Sequence, residues 1–476
     1  MEKVEVLDFA KNPGYNNPIL TTNYGADPYA MVYDGRVYIY MTGDEMMYDK
    51  DGAIVENNYS NINTIRVVSS DDLVNWTNHG EVYAAGPNGA AKWGGNSWAP
   101  AACWKMVDGK PKFFLYFANS GNGIAVLTSD SPTGPFTDPI GKALISRATP
   151  TCAAVAWLFD PAVLVDDDGC GYIYFGGGIP GPGKEANPGT ARVCKLGDDF
   201  ISLDGDPISI ENVPYLFEDS GINKINGKYV YSYCSNFNVP EGGAEGYGFG
   251  SGEIITMVSD NPMGPFKTVG SVLKNPGYFF GDGGNNHHCM FEFNGKFYIT
   301  YHARLLEKGL GKTGGYRSTN VDEAVIGADG NVKPIQGTKE GVSQVRKFNP
   351  YREISASTMA NQSGIEIVPA TSDAAKYGSG DFNIKVSNGS WVQLTGVDFG
   401  DDASKYLKMT IKGAKAGAVT VRLDYLKGAD YERFEFEGKE DFSEFSFKFA
   451  KPISGEHNLF IIFEGDGYEI SSYIFE

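Results

Sequence analysis

The sequence lacks several features that would assign it to whole classes of protein. No apolar run reaches the length that spans a membrane, and no long stretch repeats its apolar residues with the helical period. Positive charge is in the minority, because 40 Lys and Arg stand against 59 Asp and Glu, a formal net charge of −19. Such an acidic surface repels phosphate groups, so we expect neither nucleic acid nor a membrane as a partner. A neutral polysaccharide remains open.

The first ten residues lack the basic and apolar segments of a secretory signal. We therefore expect either a cytoplasmic protein or an exported one whose signal has been removed. The six cysteines lack metal-ligand spacing and lie among strand-like residues: Cys103, Cys152, Cys170, Cys194, Cys234 and Cys289. Buried free thiols are favoured over disulfides at such positions, and free thiols suit a reducing compartment.

A repeated hairpin pattern is what the sequence has in abundance. Its most telling copy runs over residues 157–165, turns at 166–169 and returns over 172–175, so two apolar runs flank an Asp-Gly turn. Four further copies turn at Asp-Gly or Asn-Gly pairs: Asp34-Gly35, Asp108-Gly109, Asn226-Gly227 and Asn294-Gly295. Five copies predict five equivalent structural units.

A second apolar unit stands between the hairpins in three copies, around Val68, Leu127 and Val258. Hairpins with such outer strands, repeated at roughly sixty to seventy residues, are typical of a β-propeller. The pattern stops around residues 339–349, and alternating strands from there to the end predict a β-sandwich. The predicted fold is all-β, with a five-bladed β-propeller over 1–345 and a jelly-roll β-sandwich over 349–476.

Carboxylates stand at equivalent positions of three copies, where the first strand of each hairpin begins: Asp27, Asp160 and Glu218. Equivalent positions of a propeller face the same axis, so we expect the three acids to converge on one cavity. The second copy has Ala99 at this position, and the fifth has the group Asn286-His287-His288. Converging carboxylates shift one another's pKa and suit acid/base catalysis.

Two further residues are candidates for the same cavity. Trp98 stands beside Ala99, the residue of the second copy at the position that carries the acids in other copies. There it serves either as the wall of a sugar site or as a core tryptophan. Arg317 lies in a glycine-flanked segment after the fifth hairpin, from which its side chain can reach the cavity.

Three segments carry a family resemblance: residues 24–28, 157–162 and 216–221, together with 285–288. They resemble glycoside hydrolase family 43, and the likeness covers the whole predicted propeller. The resemblance implies hydrolysis by single displacement with inversion, with Asp27 as the general base and Glu218 as the general acid. Asp160 would be a third carboxylate that orients the acid and keeps its pKa high. For an inverting pair, we expect the Asp27 and Glu218 carboxyls to lie roughly 6.5 to 9.5 Å apart.

The same resemblance implies further site residues. Four side chains match substrate-shaping positions: Trp98, Trp157, Phe237 and Arg317. A histidine at the channel centre, His288 or less favourably His287, would hold either water or a hydrated calcium ion. No cofactor would then be required for the chemistry, and any calcium near His288 would be structural.

The C-terminal segment more loosely resembles a family 6 carbohydrate-binding module. Trp391 matches one of that family's two sugar-stacking aromatic residues, while Lys385 stands where the other is expected. Serines stand where three acidic calcium ligands are expected: Ser355, Ser357 and Ser472. We therefore expect this domain to support the propeller more than it captures polysaccharide.

The resemblance implies an α-L-arabinofuranosidase that removes side chains from arabinoxylan or its oligosaccharides, and we expect a monomer. β-Xylosidase and endo-arabinanase share the three acids and remain alternatives, with xylosidase the stronger. A sugar-binding propeller without catalysis is an alternative of another class. The complete set of three acids disfavours it, because binding alone does not require converging carboxylates.

Overall fold

The predicted hairpin turns are present in the computed structural model, which describes residues 4–401 and 403–476. In four of the five turns both residues of the Asp-Gly or Asn-Gly pair have positive φ, as do Asp34 (47°) and Gly35 (70°). This is the geometry of a type I′ turn, whose twist matches that of the strands it joins. Short local sequence is therefore sufficient to specify each of these hairpins.

Five antiparallel sheets, here called the N-terminal sheets, form in chain order from the first two thirds of the chain. The first contains β1 (Ala26–Tyr33), β2 (Arg36–Thr42), β3 (Thr64–Ser70) and β4 (Trp76–Tyr83), and the second β5 (Trp98–Val107), β6 (Lys110–Ala118), β7 (Gly123–Ser129) and β8 (Ile145–Ser146). The third contains β9 (Ala162–Val165), β10 (Gly171–Phe175), β11 (Arg192–Lys195) and β12 (Ile208–Ser209), and the fourth β13 (Leu216–Ile225), β14 (Lys228–Ser235), β15 (Ile254–Ser259) and β16 (Lys267–Leu273). The fifth contains β17 (His288–Phe293), β18 (Lys296–Ala303) and β19 (Ser318–Glu323). Each predicted hairpin is the first strand pair of one sheet, and the predicted outer strands are β3, β7 and β15.

The first strands of the five sheets lie beside one another in cyclic order. Strand β1 contacts both β5 and β17, β9 contacts β5 and β13, and β13 contacts β17. A continuous apolar core lies between neighbouring sheets and takes side chains from all five, among them Val37, Tyr116, Ile173, Tyr231 and Phe291. The N-terminal ends of these first strands are thereby brought close together.

From residue 354 the chain forms two further sheets, here called the C-terminal sheets, around a second core. One sheet has the order β23 (Glu366–Pro369), β24 (Phe382–Lys385), β31 (Glu469–Phe475), β26 (Ser404–Gly413) and β29 (Lys439–Ile453), with β20 (Ile354–Ser355) also paired to β31. The other has the order β22 (Asn361–Ser363), β25 (Trp391–Asp398), β30 (Glu456–Glu464), β27 (Gly417–Leu423) and β28 (Glu432–Phe436). Their facing side chains alternate with outward ones, which explains the period-two pattern of this segment.

Helices contribute little to the described parts of the chain. They are α1 (Pro276–Phe280), α2 (Leu305–Gly309) and α3 (Ser372–Tyr377), each of five or six residues. Within the described ranges, no helix has the length and apolar character needed to cross a membrane.

Two segments connect the N-terminal and C-terminal sheets. Strand β21 (Thr358–Met359) pairs with β4 and so extends the first N-terminal sheet. Residues 4–13, here called the leader, lie against the C-terminal sheets, where the Leu7 amide donates to the Gly389 carbonyl at 3.0 Å. The buried Lys11 ammonium donates to the carbonyls of Pro18 (2.8 Å) and Ala360 (2.7 Å), which ties the leader to both parts of the molecule.

The prediction that Trp391 stacks on sugar is wrong, because the leader covers its ring. The Trp391 side chain is 0% exposed, and Val4 and Val6 pack against the cluster that contains it. Its indole Nε1 donates to the Leu7 carbonyl at 2.9 Å. A stacking platform requires an open ring face, so Trp391 acts as a core residue in this structure.

The cysteines follow the prediction of free thiols. All six are unpaired with one another, and five are buried, while Cys170 is partly exposed. Burial raises the pKa of Cys103 and Cys289, which keeps these thiols protonated and unreactive.

Candidate active site

Backbone irregularities at the N-terminal ends of the first strands aim the site residues. The register of β1 shifts between Ala26 and Tyr29, and Asp27 has a φ of 46°. Asp160, two residues before the start of β9, has a φ of 49°, and Asp219 within β13 has a φ of 69°. β-Bulges and left-handed residues re-aim side chains and are frequent beside functional sites.

One cavity of about 570 Å³ opens at this end of the N-terminal sheets. Its lining residues are Asp27, Tyr59, Trp98, Gly121, Asn122, Arg147, Ala156, Trp157, Phe159, Asp160, Phe217, Glu218, Asn285, His287 and Arg317. The structure thus brings together the three predicted acids in a cavity large enough for a sugar residue.

Asp27 is held in its ionised form. Its Oδ1 accepts from Arg317 Nη1 at 2.9 Å, and its Oδ2 accepts from the Thr42 hydroxyl at 2.7 Å. Burial alone would raise the pKa of Asp27, but the charge of Arg317, followed by that of His287, holds it well below its usual range. An ionised carboxylate in this position can accept a proton.

Glu218 has the opposite electrostatic environment. Burial raises the pKa of Glu218 well above its usual range, and the charges of Asp160 and Asp27 raise it further. Its Oε1 is buried and has no hydrogen-bond partner among the described residues. A carboxyl group that keeps its proton and has a free oxygen can donate that proton to a leaving group.

Asp160 has a pKa raised well above its usual range, as Glu218 has. Burial and the charge of Asp27 raise its pKa, while its Oδ2 accepts from the Asp219 amide at 2.9 Å, which favours the ionised form. Asp160 and Glu218 are coupled, because a negative charge on Asp160 raises the pKa of Glu218.

His288, the histidine favoured for the channel centre, is not among the residues that line the cavity. The His288 Nδ1 is hydrogen-bonded to the Asp219 carboxylate, and its Nε2 lies 2.8 Å from the Ser232 hydroxyl. Since both ring nitrogens are engaged by protein groups, His288 has no nitrogen left for a water or a metal. The adjacent His287 lines the cavity instead, with Nδ1 3.5 Å from Asp27 Oδ1 and Nε2 3.1 Å from Asp219 Oδ1.

Asp219 is a site residue that the sequence reasoning missed. Its fully buried carboxylate contacts both histidines, and its amide donates to Asp160. A signal was present, because Asp219 precedes the Asn226-Gly227 turn by seven residues, as Asp27 precedes the Asp34-Gly35 turn. Glu218, one residue earlier, is therefore offset from the repeat position that Asp27 and Asp219 share.

Arg317 reaches the cavity, as predicted, but most of its guanidinium is engaged by carboxylates. Its Nε and Nη2 donate to Asp44 at 2.9 and 2.8 Å, and its Nη1 donates to Asp27. Burial would lower the pKa of Arg317, but Asp27 and Asp44 raise it, so the group stays charged. Asp44 was missed because nothing in the local sequence relates it to a partner 273 residues away.

Aromatic side chains form the walls of the cavity. Trp98 and Trp157 line it as predicted, and Trp157 remains 37% exposed. Phe237 is not among the lining residues and lies one ring farther out, edge-on to Phe217 at a centroid distance of 5.5 Å. Phe217 and Tyr59 were not predicted, and they complete the walls.

Comparisons with known proteins agree with this geometry. The family model described as glycosyl hydrolases family 43 matches residues 15–332, and that of carbohydrate binding module (family 6) matches residues 355–476. The arabinoxylan arabinofuranohydrolase of Paenibacillus polymyxa is 46% identical, with 96% of this chain and 73% of that protein covered. The arabinoxylan arabinofuranohydrolase of Bacillus subtilis (strain 168) is 44% identical, with 96% and 91% covered.

A solved structure is similar over nearly the whole length. It is the crystal structure of a glycoside hydrolase family 43 arabinoxylan arabinofuranohydrolase from Bacillus subtilis in complex with cellotetraose. The TM-score is 0.92 at 42% sequence identity, with 98% of this chain and 99% of that chain covered. With three acids in one cavity and matches of this extent, the chain belongs to glycosyl hydrolase family 43 and carries a C-terminal domain of carbohydrate binding module family 6.

Proposed function

We propose that this protein is an inverting α-L-arabinofuranosidase that removes arabinofuranosyl side chains from arabinoxylan or arabinoxylo-oligosaccharides. The opposite ionisation of Asp27 and Glu218 within one cavity carries this proposal, because inversion needs a base and an acid at the same time. The substrate class is supported by two relatives of 46% and 44% identity that are arabinoxylan arabinofuranohydrolases.

In the proposed mechanism Asp27 removes a proton from a water molecule that attacks the anomeric carbon. Glu218 donates its proton to the glycosidic oxygen on the opposite side, and the sugar leaves with inverted configuration. Asp160 keeps the Glu218 proton in place through its charge. We expect the two reacting carboxyls to lie roughly 6.5 to 9.5 Å apart, which leaves room for the water.

Arg317 has two roles in this proposal. It keeps Asp27 ionised, and it fixes the direction of the carboxylate by a hydrogen bond of 2.9 Å. Trp98 and Trp157 supply apolar faces for the sugar rings, which agrees with their place in the cavity wall.

We infer that the five N-terminal sheets are the blades of a five-bladed β-propeller within residues 1–345. The cyclic contacts among β1, β5, β9, β13 and β17 support this inference, as does the common direction of the site residues. Residues 349–476 would form the β-sandwich, in agreement with the two C-terminal sheets and their shared core. The backbone pairing between β21 and β4 favours a fixed arrangement of the two domains.

No metal enters the proposed chemistry, and no cofactor is required. A calcium ion near His288 does not fit the residues there, because Asp219 and Ser232 already engage both ring nitrogens. In the C-terminal domain Ser355 is paired with Ser472 and lies 2.9 Å from the Ser357 hydroxyl, so neutral oxygens stand where acidic ligands were expected. Three hydroxyls supply too little negative charge for a hard cation.

β-Xylosidase activity is the second candidate. A relative from Bacteroides ovatus with 31% identity over 67% of this chain is a xylosidase/arabinosidase. Both sugars are pentoses, so the three acids alone do not separate the two activities.

The test uses the purified protein with arabinoxylan and with aryl glycosides of arabinofuranose and xylose. We expect arabinose as the released sugar and much faster turnover of the aryl arabinofuranoside. Proton NMR of the first-formed arabinose should show inverted anomeric configuration. Release of xylose in place of arabinose would favour the second candidate, and retained configuration would overturn the mechanism.

A further inference from the structure

Tyr59 lies in the segment that joins β2 to β3 and has an uncommon backbone conformation. Its φ is 63°, a left-handed value that non-glycine residues rarely adopt and that is concentrated at functional sites. The side chain is half-buried and lines the cavity that contains the three acids. A strained residue that faces the reacting groups calls for a functional explanation.

The Tyr59 ring contacts the guanidinium that holds Asp27. The Arg317 Cζ lies 4.8 Å from the centre of the ring, within the range of a cation–π interaction. Two edges of the guanidinium are held by carboxylates, Asp44 on one and Asp27 on the other. The ring covers a face of the guanidinium that these ion pairs leave open.

The backbone of Tyr59 is connected through Asn57 to the same carboxylate that holds Arg317. The Tyr59 amide donates to Asn57 Oδ1 at 3.1 Å, and Asn57 Nδ2 donates to Asp44 Oδ2 at 2.9 Å. On the other side, Trp98 Nε1 donates to the Tyr59 carbonyl at 3.0 Å. Both backbone polar groups of Tyr59 are therefore held by side chains, which restricts the residue whose ring contacts Arg317.

We propose that Tyr59 is a positioning residue for hydrolysis, acting through Arg317 to hold the Asp27 carboxylate in the direction of the attacking water. This inference rests on the proposed function. Without the ring, water and alternative rotamers compete for the guanidinium, and the bond from Nη1 to Asp27 loses its fixed direction. Small displacements of a reacting group lower the rate strongly, because the near-attack geometry is lost.

The contact is made by the ring face, so Tyr59→Phe should retain it and Tyr59→Leu should remove it at similar bulk. On an aryl α-L-arabinofuranoside we expect Tyr59→Leu to lower kcat about tenfold with little change in KM. Tyr59→Phe should stay within about twofold of the wild-type kcat, because its ring offers a similar π face. Tyr48→Leu is the matched control, since Tyr48 is an exposed tyrosine of the same segment that does not line the cavity.

A double-mutant cycle separates positioning through Arg317 from a general structural role. In an Arg317→Lys background, Tyr59→Leu should lower kcat by less than about twofold, because the planar partner of the ring is already gone. Melting temperatures of all variants should be compared, and Tyr59→Met is the substitute if Tyr59→Leu does not fold.

Several outcomes would overturn the inference. They are a wild-type kcat for Tyr59→Leu, an undiminished tenfold loss in the Arg317→Lys background, or a loss confined to KM on arabinoxylan. The last result would make Tyr59 a polymer-binding residue. A wild-type protein that fails to hydrolyse both the aryl arabinofuranoside and arabinoxylan would overturn the proposed function, and this inference with it.

Discussion

Trp157 and Trp391 were both predicted to contact sugar, yet they lie in opposite surroundings. Trp157 is 37% exposed at the wall of the cavity, whereas Trp391 is 0% exposed beneath the leader. Their residue type and their apolar neighbours are alike, so the difference arises from what covers them. An aromatic ring contributes to binding only where one face stays open, and a covered ring contributes to stability instead.

The same contrast holds between the two regions that contain them. In the cavity, one carboxyl oxygen of Glu218 has no hydrogen-bond partner among the residues that the structure describes, and residues such as Asp27 and Asp160 have left-handed backbone conformations. The C-terminal sheets enclose an apolar core, and their serines stand where charged ligands were expected. Strain and shifted ionisation are thus concentrated where chemistry is proposed.

The largest expected effect is the loss of the base. Asp27→Ala should lower kcat by about 10²- to 10⁴-fold on both arabinoxylan and aryl arabinofuranosides, because no other group activates the water.

Glu218→Ala should show a similar loss on arabinoxylan and a much smaller one on an aryl substrate whose leaving group needs little protonation. Glu292→Ala, an exposed carboxylate on β17, is the control and should leave kcat unchanged. Equal losses of Glu218→Ala on both substrates would contradict its role as the acid.

Substituting the two tryptophans sharpens the comparison between open and covered rings. Trp391→Ala should lower the free energy of unfolding by about 3–5 kcal/mol, because it leaves a large cavity in a packed core. Trp157→Ala should cost about 1 kcal/mol of stability and lower kcat/KM about tenfold, since the ring is partly exposed and faces substrate. Urea unfolding and steady-state kinetics on both variants measure these effects. A stable Trp391→Ala variant with impaired binding of arabinoxylan would restore the original prediction for Trp391.

Binding of polymer should depend on the cavity and not on the C-terminal domain. In a gel containing arabinoxylan, the Glu218→Ala protein should be retarded, and the additional change Trp157→Ala should remove most of the retardation. The reason is that no aromatic face of Trp391 is open on the C-terminal sheets. Retardation that persists in the double variant would show that the C-terminal domain captures polysaccharide.

The plot of kcat/KM against pH should be bell-shaped, with its alkaline limb shifted to higher pH by the raised pKa of Glu218. Glu218 must be protonated, and its pKa is raised, so activity is lost only as the pH rises through that raised value. Asp27 must be ionised, and its pKa is lowered, so activity on the acidic side persists to low pH. Asp160→Asn removes one of the charges that raise the pKa of Glu218 and should move the alkaline limb to lower pH. The exposed Asp168→Asn should leave both limbs in place, and an unmoved limb in Asp160→Asn would argue against the coupling.

The smallest expected effect is that of metal removal. Chelation should change neither kcat nor the melting temperature, because His288 has no free nitrogen and the proposed steps use only carboxylates and water. Loss of activity on chelation that calcium restores would show that a metal participates.

The sequence by itself determined the features that depend on local chemistry and on repetition. Asp-Gly and Asn-Gly pairs adopt positive φ almost independently of the rest of the chain, so the hairpins and their number followed from composition and spacing. Repetition then placed Asp27, Asp160 and Glu218 at the same end of three strands, which is why their meeting in one cavity was predictable. The roles of the acids came from the family resemblance carried by the same residues.

Only the tertiary structure decided which of several similar residues face the cavity. His287 and His288 are adjacent and have the same side chain, and Asp219 contacts both of them, but Ser232 from another sheet engages only the second nitrogen of His288. Arg317 is held by Asp44, which is 273 residues away in sequence. Trp391 is covered by the leader, whose Leu7 is 384 residues away. Contacts of this kind leave no periodic or local signal, because they arise when distant segments pack together and each excludes water from the other.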